Sequence, residues 1–375
     1  MEKIKILHCI ETISSGGVEV LRLGFARNMD KTKFDLKIIC TNAIGPIKKA
    51  LEEEGIEIIE VGQFGSPFEP SKYLKVLNVI KHYSPHIVHG AVFEGMCMAA
   101  VGGFFGKVKG IILEETSDPS NRSLKAIFLQ RLLASSADKI IGISPAVCEF
   151  LNTRVNIPES KIFQLSNGID FNYLQAKKKK ITKSQLGLSA EDFVIGAVGR
   201  VHDKVKRFSS ILMALEKINK PTIKVLLIGD GPDLDDLRNL SCIKGISDQF
   251  ITVGFREDTS SFYELMDCFC IPSANEGFGM VAAEAMFYKL PVIASNVGGL
   301  KNVVQDEITG ILFQPNDINT LAISIIRLYE DNVLRKNMGE AGFLRARSLF
   351  GISHYTEIIQ HLYQTIYIEK YSKPC

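Results

Sequence analysis

The sequence predicts an α/β protein of two domains, because short apolar runs alternate with amphipathic helical stretches and because this alternation restarts near residue 193. Continuous apolar runs are typical of strands buried on both faces, and helices between such strands form the crossover connections of parallel sheets. The chain of 375 residues also exceeds the roughly 250–300 residues at which single cores stop growing. Two parallel-sheet domains are therefore the simplest prediction.

The predicted elements follow in order along the two halves. In the first half, strands are predicted at Ile4–Ile10, Leu36–Cys40, Ile56–Val61, Ile87–Val88, Gly110–Leu113 and Lys139–Ile143. The helices between them are predicted at Val18–Met29, Pro46–Glu54, Pro70–His82 and Ser123–Ser135. In the second half, strands are predicted at Phe193–Val198, Ile223–Ile228, Phe250–Val253, Cys268–Ile271 and Pro291–Ala294. The helices there are predicted at Phe208–Ile218, Pro232–Leu240, Ser260–Met266 and Met280–Tyr288.

The end of the sequence, from Ile318 to Tyr371, is helical in pattern. One apolar face repeats at helical spacing, and its residues are Tyr355, Ile358, Ile359, Leu362, Tyr363 and Ile366. A helix that follows the last strand must bury such a face, so we expect it to cross back to the first domain. The basic run Lys177–Lys183 is interpreted as a solvated linker rather than a lipid-binding patch. The expected domains are therefore residues 1–172, residues 173–350 and a C-terminal helix of residues 351–375.

Composition excludes several classes of protein. The formal net charge of +2 does not require a nucleic-acid partner. The apolar start carries Lys5 and lacks a cleavage site, and no apolar stretch reaches the ~18 residues of a membrane span. We therefore expect a cytoplasmic protein, soluble or peripheral on the cytoplasmic face of the membrane. The eight cysteines form no C-x-x-C pair, which favours reduced, buried thiols over a zinc site.

The segment Pro272–Met286 carries the strongest chemical signal, because it opens where a predicted strand ends. Ligands of open α/β sheets bind at that edge. Gly277 and Gly279 allow close approach to a ligand, and the helix that follows directs free N–H groups at an anion. The carboxylates of Glu276 and Glu284 suit the hydroxyls of a sugar and a ribose. The alternative for Glu284 is a cap or salt bridge on the helix face.

A second cluster follows the first strand of the second half. Gly199 ends that strand, and Arg200 and Lys206 follow it. Cations at this edge could neutralise a leaving diphosphate, as Mg²⁺ does elsewhere. Lys204 and Arg207 compete with Lys206 for this role, and a solvated basic loop is the alternative. No D-x-D pattern stands at a strand end, so we predict no divalent metal and no cofactor.

Two features of the first half remain open on residue patterns alone. Gly16 and Gly17 follow the first strand, either as a ligand-binding turn or as a tight turn only. His89 ends a predicted strand, where it either lines the ligand cleft or has a structural role. His86 and His89 lie on opposite faces of a strand and do not form a metal pair.

These segments, in their order, resemble the family 4 retaining glycosyltransferases, which have the GT-B fold of two Rossmann-like domains facing across a cleft. The segment Glu276–Glu284 resembles the paired-glutamate signature of the family, and Leu290–Gly299 resembles the segment that follows it. Thr309–Asp317 resembles the last strand region, Ser166–Asp170 an N-G-x-D element, and Gly16–Glu19 a G-G-x-E turn. Five matching elements are more specific than any one of them.

The resemblance implies a role for each candidate residue. The implied catalytic residues are Glu276, Arg200 and Lys206. The implied donor-binding residues are Gly16, Gly17, Gly199, Gly254, Phe255, Gly277, Phe278, Gly279, Met280 and Glu284, with Glu284 on the ribose and Gly254–Phe255 near the base. The acceptor-side candidates are His89, Glu115 and Thr116.

The sequence departs from the family pattern at three places. The spacing from Arg200 to Lys206 is one residue longer than usual. The region after the predicted fifth strand of the first domain carries Glu115 and Thr116 where many members have histidine. Lys301 and the asparagine after it replace a more usual Pro-Glu pair, with a local effect expected.

We therefore expect transfer of a hexose or N-acetylhexosamine from a nucleotide diphosphate sugar, most simply a UDP-sugar, to a glycan or lipid-linked acceptor. Retention of configuration, metal independence and a place in bacterial cell-surface polysaccharide synthesis follow from the resemblance. The basic and aromatic residues near Phe104–Lys109 and on the helix with Arg122 and Phe128 fit peripheral contact with the inner membrane. The alternatives are a nucleotide-sugar epimerase of the same fold and a non-catalytic module that binds sugar nucleotides. A nicotinamide-dependent enzyme is disfavoured, because no G-x-G-x-x-G follows the first strand.

Overall fold

The computed structural model describes residues 2–14, 16–65, 69–118, 122–176 and 179–371. Lys177 and Lys178, at the start of the predicted linker, lie outside the described residues. The chain divides into two compact units, one of Met1–Gly168 with Ile352–Cys375 and one of Ile169–Gly351. The unit of Met1–Gly168 and Ile352–Cys375 is called unit 1, and the other is called unit 2.

Unit 1 contains a parallel sheet with helices between its strands. Its strands are β1 (Ile4–Cys9), β2 (Thr12–Ile13), β3 (Phe34–Cys40), β4 (Asn42–Ala43), β5 (Glu57–Glu60), β6 (Ile87–Ala91), β7 (Gly110–Glu115), β8 (Lys139–Gly142) and β9 (Ile162–Gln164). Its helices before residue 169 are α1 (Gly17–Asn28), α2 (Pro46–Glu53), α3 (Pro70–Tyr83), α4 (Val92–Phe105), α5 (Leu124–Ser135) and α6 (Pro145–Thr153). The strand order is β5-β3-β1-β6-β7-β8-β9. Strands β1, β6 and β7 are buried along nearly their whole length, as their apolar sequences predict.

Unit 2 repeats this architecture with a smaller sheet. Its strands are β10 (Phe193–Val198), β11 (Ile223–Ile228), β12 (Phe250–Thr252), β13 (Cys268–Ile271), β14 (Val292–Ser295) and β15 (Gly310–Phe313). Its helices are α7 (Phe171–Ala176), α8 (Asp203–Lys206), α9 (Ser209–Ile218), α10 (Leu234–Ile243), α11 (Ser260–Tyr263), α12 (Met280–Phe287), α13 (Leu300–Val303), α14 (Ile318–Glu330) and α15 (Asn332–Leu349). The order β12-β11-β10-β13-β14-β15 makes β10 and β13 parallel neighbours.

The last helix, α16 (Ile352–Tyr371), belongs to unit 1, in which it packs against α1 and the sheet. The predicted apolar face is buried at Tyr355, Ile359, Leu362, Tyr363 and Ile366. The helical tail predicted from residue 318 is three separate helices, of which α14 and α15 remain in unit 2.

A buried polar network joins α16 to the centre of unit 1. The guanidinium of Arg22, on α1, is buried against the carboxylate of Glu114, on β7. Arg22 Nη1 also donates to the Tyr355 hydroxyl at 3.0 Å. Burial alone would raise the pKa of Glu114, but the charge of Arg22 and the contact with His89 lower it to about 2. The carboxylate is therefore ionised, and its charge is balanced inside the unit.

Two histidines extend this network. The Tyr363 hydroxyl lies 2.8 Å from His8 Nε2 and 2.7 Å from His89 Nδ1. His89 Nε2 lies 3.0 Å from a Glu114 carboxylate oxygen. Burial lowers the pKa of both histidines, so both imidazoles are neutral near pH 7. Of the two roles left open for His89, this burial favours the structural one, because neither ring nitrogen faces solvent.

The network predicts an asymmetric response to removing one charge. Replacing Glu114 with Gln leaves the buried Arg22 guanidinium without its counter-charge, so the free energy of unfolding should fall by about 3–5 kcal/mol. Replacing Glu330 with Gln breaks the exposed pair with Lys220 and should cost no more than about 1 kcal/mol. Urea unfolding followed by circular dichroism measures both changes. Equal stability of the Glu114→Gln variant and the wild type would contradict a buried ion pair.

Candidate functional site

The candidate site lies at the carboxyl edge of the sheet in unit 2. Two neighbouring strands, β10 and β13, end there, and each continues through a loop into a helix. The loop after β10 leads to α8, and the loop after β13 leads to α12. The backbone N–H of Ala274 donates to the carbonyl oxygen of Val205 at 2.7 Å, so the two connections are joined directly. The sheet order therefore brings together segments that are about seventy residues apart.

An ion pair connects two candidate residues at this edge. Lys206 Nζ lies 2.7 Å from Glu276 Oε2, and the two side chains are 23% and 18% exposed. The competing cations are placed differently. Lys204 is exposed, and Arg207 donates to the side-chain oxygen of Asn316. Of the three cations, Lys206 is the one that contacts Glu276.

Arg200 is the second cation of the edge. It follows Gly199, whose φ is 150°, and its side chain is exposed. Within the described ranges, it makes no ion pair with another side chain. Its charge is therefore available to an anionic ligand, whereas that of Lys206 is shared with a carboxylate.

Glu284 lies on the second turn of α12 and is 9% exposed. Its Oε2 accepts a hydrogen bond of 2.9 Å from the Tyr263 hydroxyl. Burial raises the pKa of Glu284 to about 7, although the hydrogen bond from Tyr263 lowers it. The helix-face salt bridge considered for Glu284 is not formed with any described residue. No motif of the sequence marks Tyr263 as a partner of Glu284.

Close backbone packing fixes the loop between the two glutamates. Gly279 is the N-cap of α12 with φ 97°, a left-handed conformation that favours glycine. Gly299 donates its N–H to the carbonyl oxygen of Glu276 at 2.8 Å. A Cβ atom at Gly299 would stand 2.2 Å from the Gly277 carbonyl oxygen. The glycines thus hold the Glu276 loop against the segment that follows β14.

The remaining donor-side candidates lie at the same sheet but in different environments. Phe278 is buried and packs edge-on against Phe350, with 5.3 Å between ring centroids. Met280 begins α12. Gly254 accepts a hydrogen bond of 2.9 Å from the Gly229 N–H, and Phe255 beside it is exposed. Phe278 therefore supports the loop with its side chain, and Phe255 presents an aromatic surface at the end of β12.

The glycine turn of unit 1 holds a carboxylate. Gly16 is the N-cap of α1, and Gly17 is its first residue. A Cβ atom at Gly16 would stand 2.4 Å from a carboxylate oxygen of Glu19, so the Glu19 side chain folds back over the turn. Burial, together with Glu94 and Glu19, raises the pKa of Glu11 beside this turn. Carboxylates of Glu11, Glu19 and Glu94 therefore lie near the glycine turn of unit 1.

The two other acceptor-side candidates are adjacent at the end of β7. Glu115 is buried, and its carboxylate accepts hydrogen bonds from Arg122 at 2.9 Å, Gln130 at 2.7 Å and the Ser117 hydroxyl at 2.7 Å. These bonds tie the loop after β7 to α5. Thr116 is half-buried. Glu115 is thus engaged in organising its own loop.

Comparison with known proteins identifies the family. A model of glycosyltransferase family 4 matches residues 15–173, and a model of the glycosyl transferases of group 1 matches residues 178–345. The chain belongs to glycosyltransferase family 4. This glycosyltransferase is 26% identical to the capsular polysaccharide biosynthesis glycosyltransferase CapM of Staphylococcus aureus, and the match covers 100% of both chains.

Two further relatives are informative. The glycosyltransferase is 24% identical to the Escherichia coli UDP-Gal:α-D-GlcNAc-diphosphoundecaprenol α-1,3-galactosyltransferase, over 88% of this chain and 89% of the relative. Anabaena HepE, solved in complex with UDP and glucose, superposes with a TM-score of 0.85 at 20% identity, over 97% of this chain and 100% of that chain. The expected GT-B fold is thereby confirmed. Among the described helices, none has the length and hydropathy needed to cross a bilayer.

The glycine packing predicts a structural cost at one position. Replacing Gly299 with Ala forces the new Cβ against backbone, and such overpacking typically costs about 1–3 kcal/mol. The melting temperature should therefore fall. Replacing Gly351 with Ala is the matched control, since its nearest contact is an ordinary 3.5 Å. Equal melting temperatures of the two variants, measured by differential scanning calorimetry, would contradict the packing described for the Glu276 loop.

Proposed function

We propose that this glycosyltransferase moves a hexose or N-acetylhexosamine from a UDP-sugar to a glycan or lipid-linked acceptor, with retention of configuration. The observation that carries the proposal is the arrangement at the carboxyl edge of unit 2, where Lys206, Glu276 and Glu284 lie beside the start of α12. The names of the relatives support the substrate class: one acts in capsular polysaccharide biosynthesis and one uses UDP-galactose. A place in bacterial cell-surface polysaccharide synthesis fits both.

The donor diphosphate would be bound by positive charge. Arg200 is an exposed guanidinium, and Lys206 is an ammonium held by Glu276. The first N–H groups of α12 have no partner within the helix, and its dipole favours an anion at that end. Positive charge from these groups can stabilise the leaving diphosphate without a metal ion. We accordingly propose a metal-independent reaction in which the nucleotide sugar is a substrate and no cofactor takes part.

The donor hydroxyls would be bound by the two carboxylates. Glu276 Oε1 accepts no hydrogen bond from a described residue, so it can accept from a sugar hydroxyl while Oε2 keeps Lys206. Glu284 would accept from the ribose. Gly277, Gly279 and Met280 would contribute backbone N–H groups, and Phe255 with Gly254 would lie beside the base.

Retention is proposed through a front-face route. The bond from the anomeric carbon to the diphosphate oxygen breaks, and the acceptor oxygen bonds to the anomeric carbon from the same face. The acceptor hydroxyl proton passes to the departing phosphate oxygen. Arg200 and Lys206 would stabilise the charge that develops on that phosphate, which is the contribution required of them in the transition state.

The proposed function is tested with a panel of nucleotide sugars. A bound donor raises the apparent melting temperature, so UDP-sugars should raise it more than other nucleotide sugars. The preferred donor is then incubated alone and with extracts of lipid-linked glycans, and products are analysed by NMR. Transfer with an unchanged anomeric configuration supports the proposal. Isomerised donor would establish an epimerase instead, and donor binding without transfer or hydrolysis would indicate a binding module.

Removing either cation of the edge should slow the reaction. Replacing Arg200 or Lys206 with Ala removes charge from the leaving diphosphate, so release of the nucleoside diphosphate should slow roughly 10²-fold or more. Replacing Lys204 with Ala is the matched control, because this exposed lysine lies two residues from Lys206 and does not contact Glu276. Near-normal turnover of the Arg200→Ala variant would remove Arg200 from this role. Equal losses in the two lysine variants would show that general charge, and not position, matters.

We also propose peripheral contact between unit 1 and an anionic membrane. Three apolar side chains stand on one face of α5 at helical spacing, and Leu124, Phe128 and Leu132 are 79%, 71% and 57% exposed. Lys125 and Arg131 lie on either side of this apolar stripe. An apolar stripe flanked by cations fits a helix that lies in the lipid headgroup region. Phe104 and Phe105, at the end of the neighbouring helix α4, are exposed too.

This contact predicts lipid-dependent sedimentation. Replacing Leu124, Phe128 and Leu132 together with Ser should abolish co-sedimentation with phosphatidylglycerol vesicles, because it removes the apolar area that inserts. Replacing the exposed Ile323, Val333 and Leu344 of unit 2 is the matched control and should leave it unchanged. Binding of the wild type should weaken with added salt and be weaker on phosphatidylcholine vesicles. Equal binding of both triple variants would contradict the role of α5.

A further inference from the structure

Tyr263 is a completely buried side chain beside the candidate donor site. It ends the short helix α11, is 0% exposed, and directs its hydroxyl at Glu284 on α12. The oxygen–oxygen distance is 2.9 Å. No motif of the sequence points to this residue, and the donor chemistry proposed above does not use it.

The position of the Tyr263 ring is fixed by its neighbours. The ring of Tyr288 stacks on it with 5.2 Å between centroids and 16° between planes, and the ring of Phe269 lies 5.8 Å away. A ring packed in this way cannot turn its hydroxyl elsewhere without disturbing the core. The hydroxyl is therefore a fixed donor that holds the Glu284 carboxylate.

The hydrogen bond distinguishes the two oxygens of Glu284. Oε2 accepts from Tyr263, whereas Oε1 accepts no hydrogen bond from any residue in the described part of the chain. An anchored carboxylate has fewer rotamers to lose when a ligand binds, so preorganisation improves affinity without a new contact. The geometry thus leaves one oxygen for a ligand and holds the other.

The Tyr263 hydroxyl also favours the ionised form of Glu284. Burial raises the pKa of this carboxyl to about 7, and the Tyr263 hydrogen bond acts in the opposite direction. Two charged side chains of α15, the helix packed against α12, have partners other than Glu284. On α15, Glu340 pairs with Lys289, and Arg345 donates to the carbonyl oxygens of α13, where Lys301 is exposed. Strands β13 and β14 contribute no carboxylate or cation.

We propose that Tyr263 is a positioning residue for donor recognition, whose hydroxyl holds one oxygen of Glu284 so that the other is presented to the ribose hydroxyls of the nucleotide sugar. The inference rests on the proposed function, because it takes the ribose as the ligand of Glu284. It adds that ribose recognition depends on a buried residue that does not touch the ligand.

The proposal has a specific kinetic consequence. Replacing Tyr263 with Phe keeps the ring in the core and removes the hydroxyl. The KM for the donor should rise about 10-fold, because interactions that bind ground and transition states equally affect KM and leave kcat unchanged. Without the hydrogen bond, the pKa of Glu284 rises further. Donor binding requires the ionised form of Glu284. As the solution is acidified, the Tyr263→Phe variant should therefore lose donor affinity at a higher pH than the wild type does.

The experiment compares Tyr263→Phe with Tyr288→Phe. The control removes the hydroxyl of the stacked neighbour, which makes no hydrogen bond to Glu284. Calorimetric titration measures the affinity for UDP and for 2′-deoxy-UDP between pH 5.5 and pH 8.5. We expect the wild type and Tyr288→Phe to prefer UDP, and Tyr263→Phe to lose most of this preference and to show its pH dependence shifted upward. Circular dichroism establishes that each variant is folded.

A double variant separates positioning from general destabilisation. If Tyr263 acts through Glu284, adding Tyr263→Phe to Glu284→Gln should produce no further loss of affinity, whereas independent effects would add. If the wild type binds UDP, two results would overturn the inference and leave the proposed function standing. One is additive losses in the double variant, and the other is identical behaviour of Tyr263→Phe and Tyr288→Phe. Failure of the wild type to bind UDP would instead overturn the proposed function, and the inference would fall with it.

Discussion

The candidate site depends on one topological constraint, the parallel pairing of β10 with β13. Because both strands end at the same edge, residues far apart in sequence meet there, and the hydrogen bond from Ala274 to Val205 ties their loops together. The ion pair between Lys206 and Glu276 is a consequence of that pairing. A sheet with another strand order would keep every motif and still separate the charges.

The charged side chains at this edge differ in their exposure and in their partners. Arg200 is exposed, Lys206 shares its charge with Glu276, and Glu284 is buried with a single hydrogen-bonding partner among the described residues. An exposed cation attracts an anion from solution, and an ion-paired cation can contact that anion once it is bound. A buried carboxylate is selective for groups that can donate a hydrogen bond to it. One ligand that carries a diphosphate and hydroxyl groups would satisfy all three environments together.

The sequence predicted the sheets and the family because the patterns that indicate them lie in short continuous segments. Apolar runs mark buried strands, and the segment from Glu276 to Glu284 is continuous. It could not predict the partners of His89, since its hydrogen-bonded tyrosine lies 274 residues later. Helix α4 was missed because it is apolar on all sides and lacks a helical period. Its Gly95 lies so close to β1 that a Cβ would stand 2.3 Å from the Cys9 carbonyl oxygen. Tyr263 was missed because only the fold brings it to Glu284.

The assignment of α16 to unit 1 has a consequence for biosynthesis. Unit 2 is continuous from Ile169 to Gly351, whereas unit 1 is interrupted by it. A ribosome therefore completes the whole of unit 2 before it begins the helix that supplies Tyr355 and Tyr363 to the buried network. Until that helix emerges, Arg22 and the two histidines lack the hydroxyl groups that satisfy them. Synthesis of unit 1 thus starts before that of unit 2 and is completed after it.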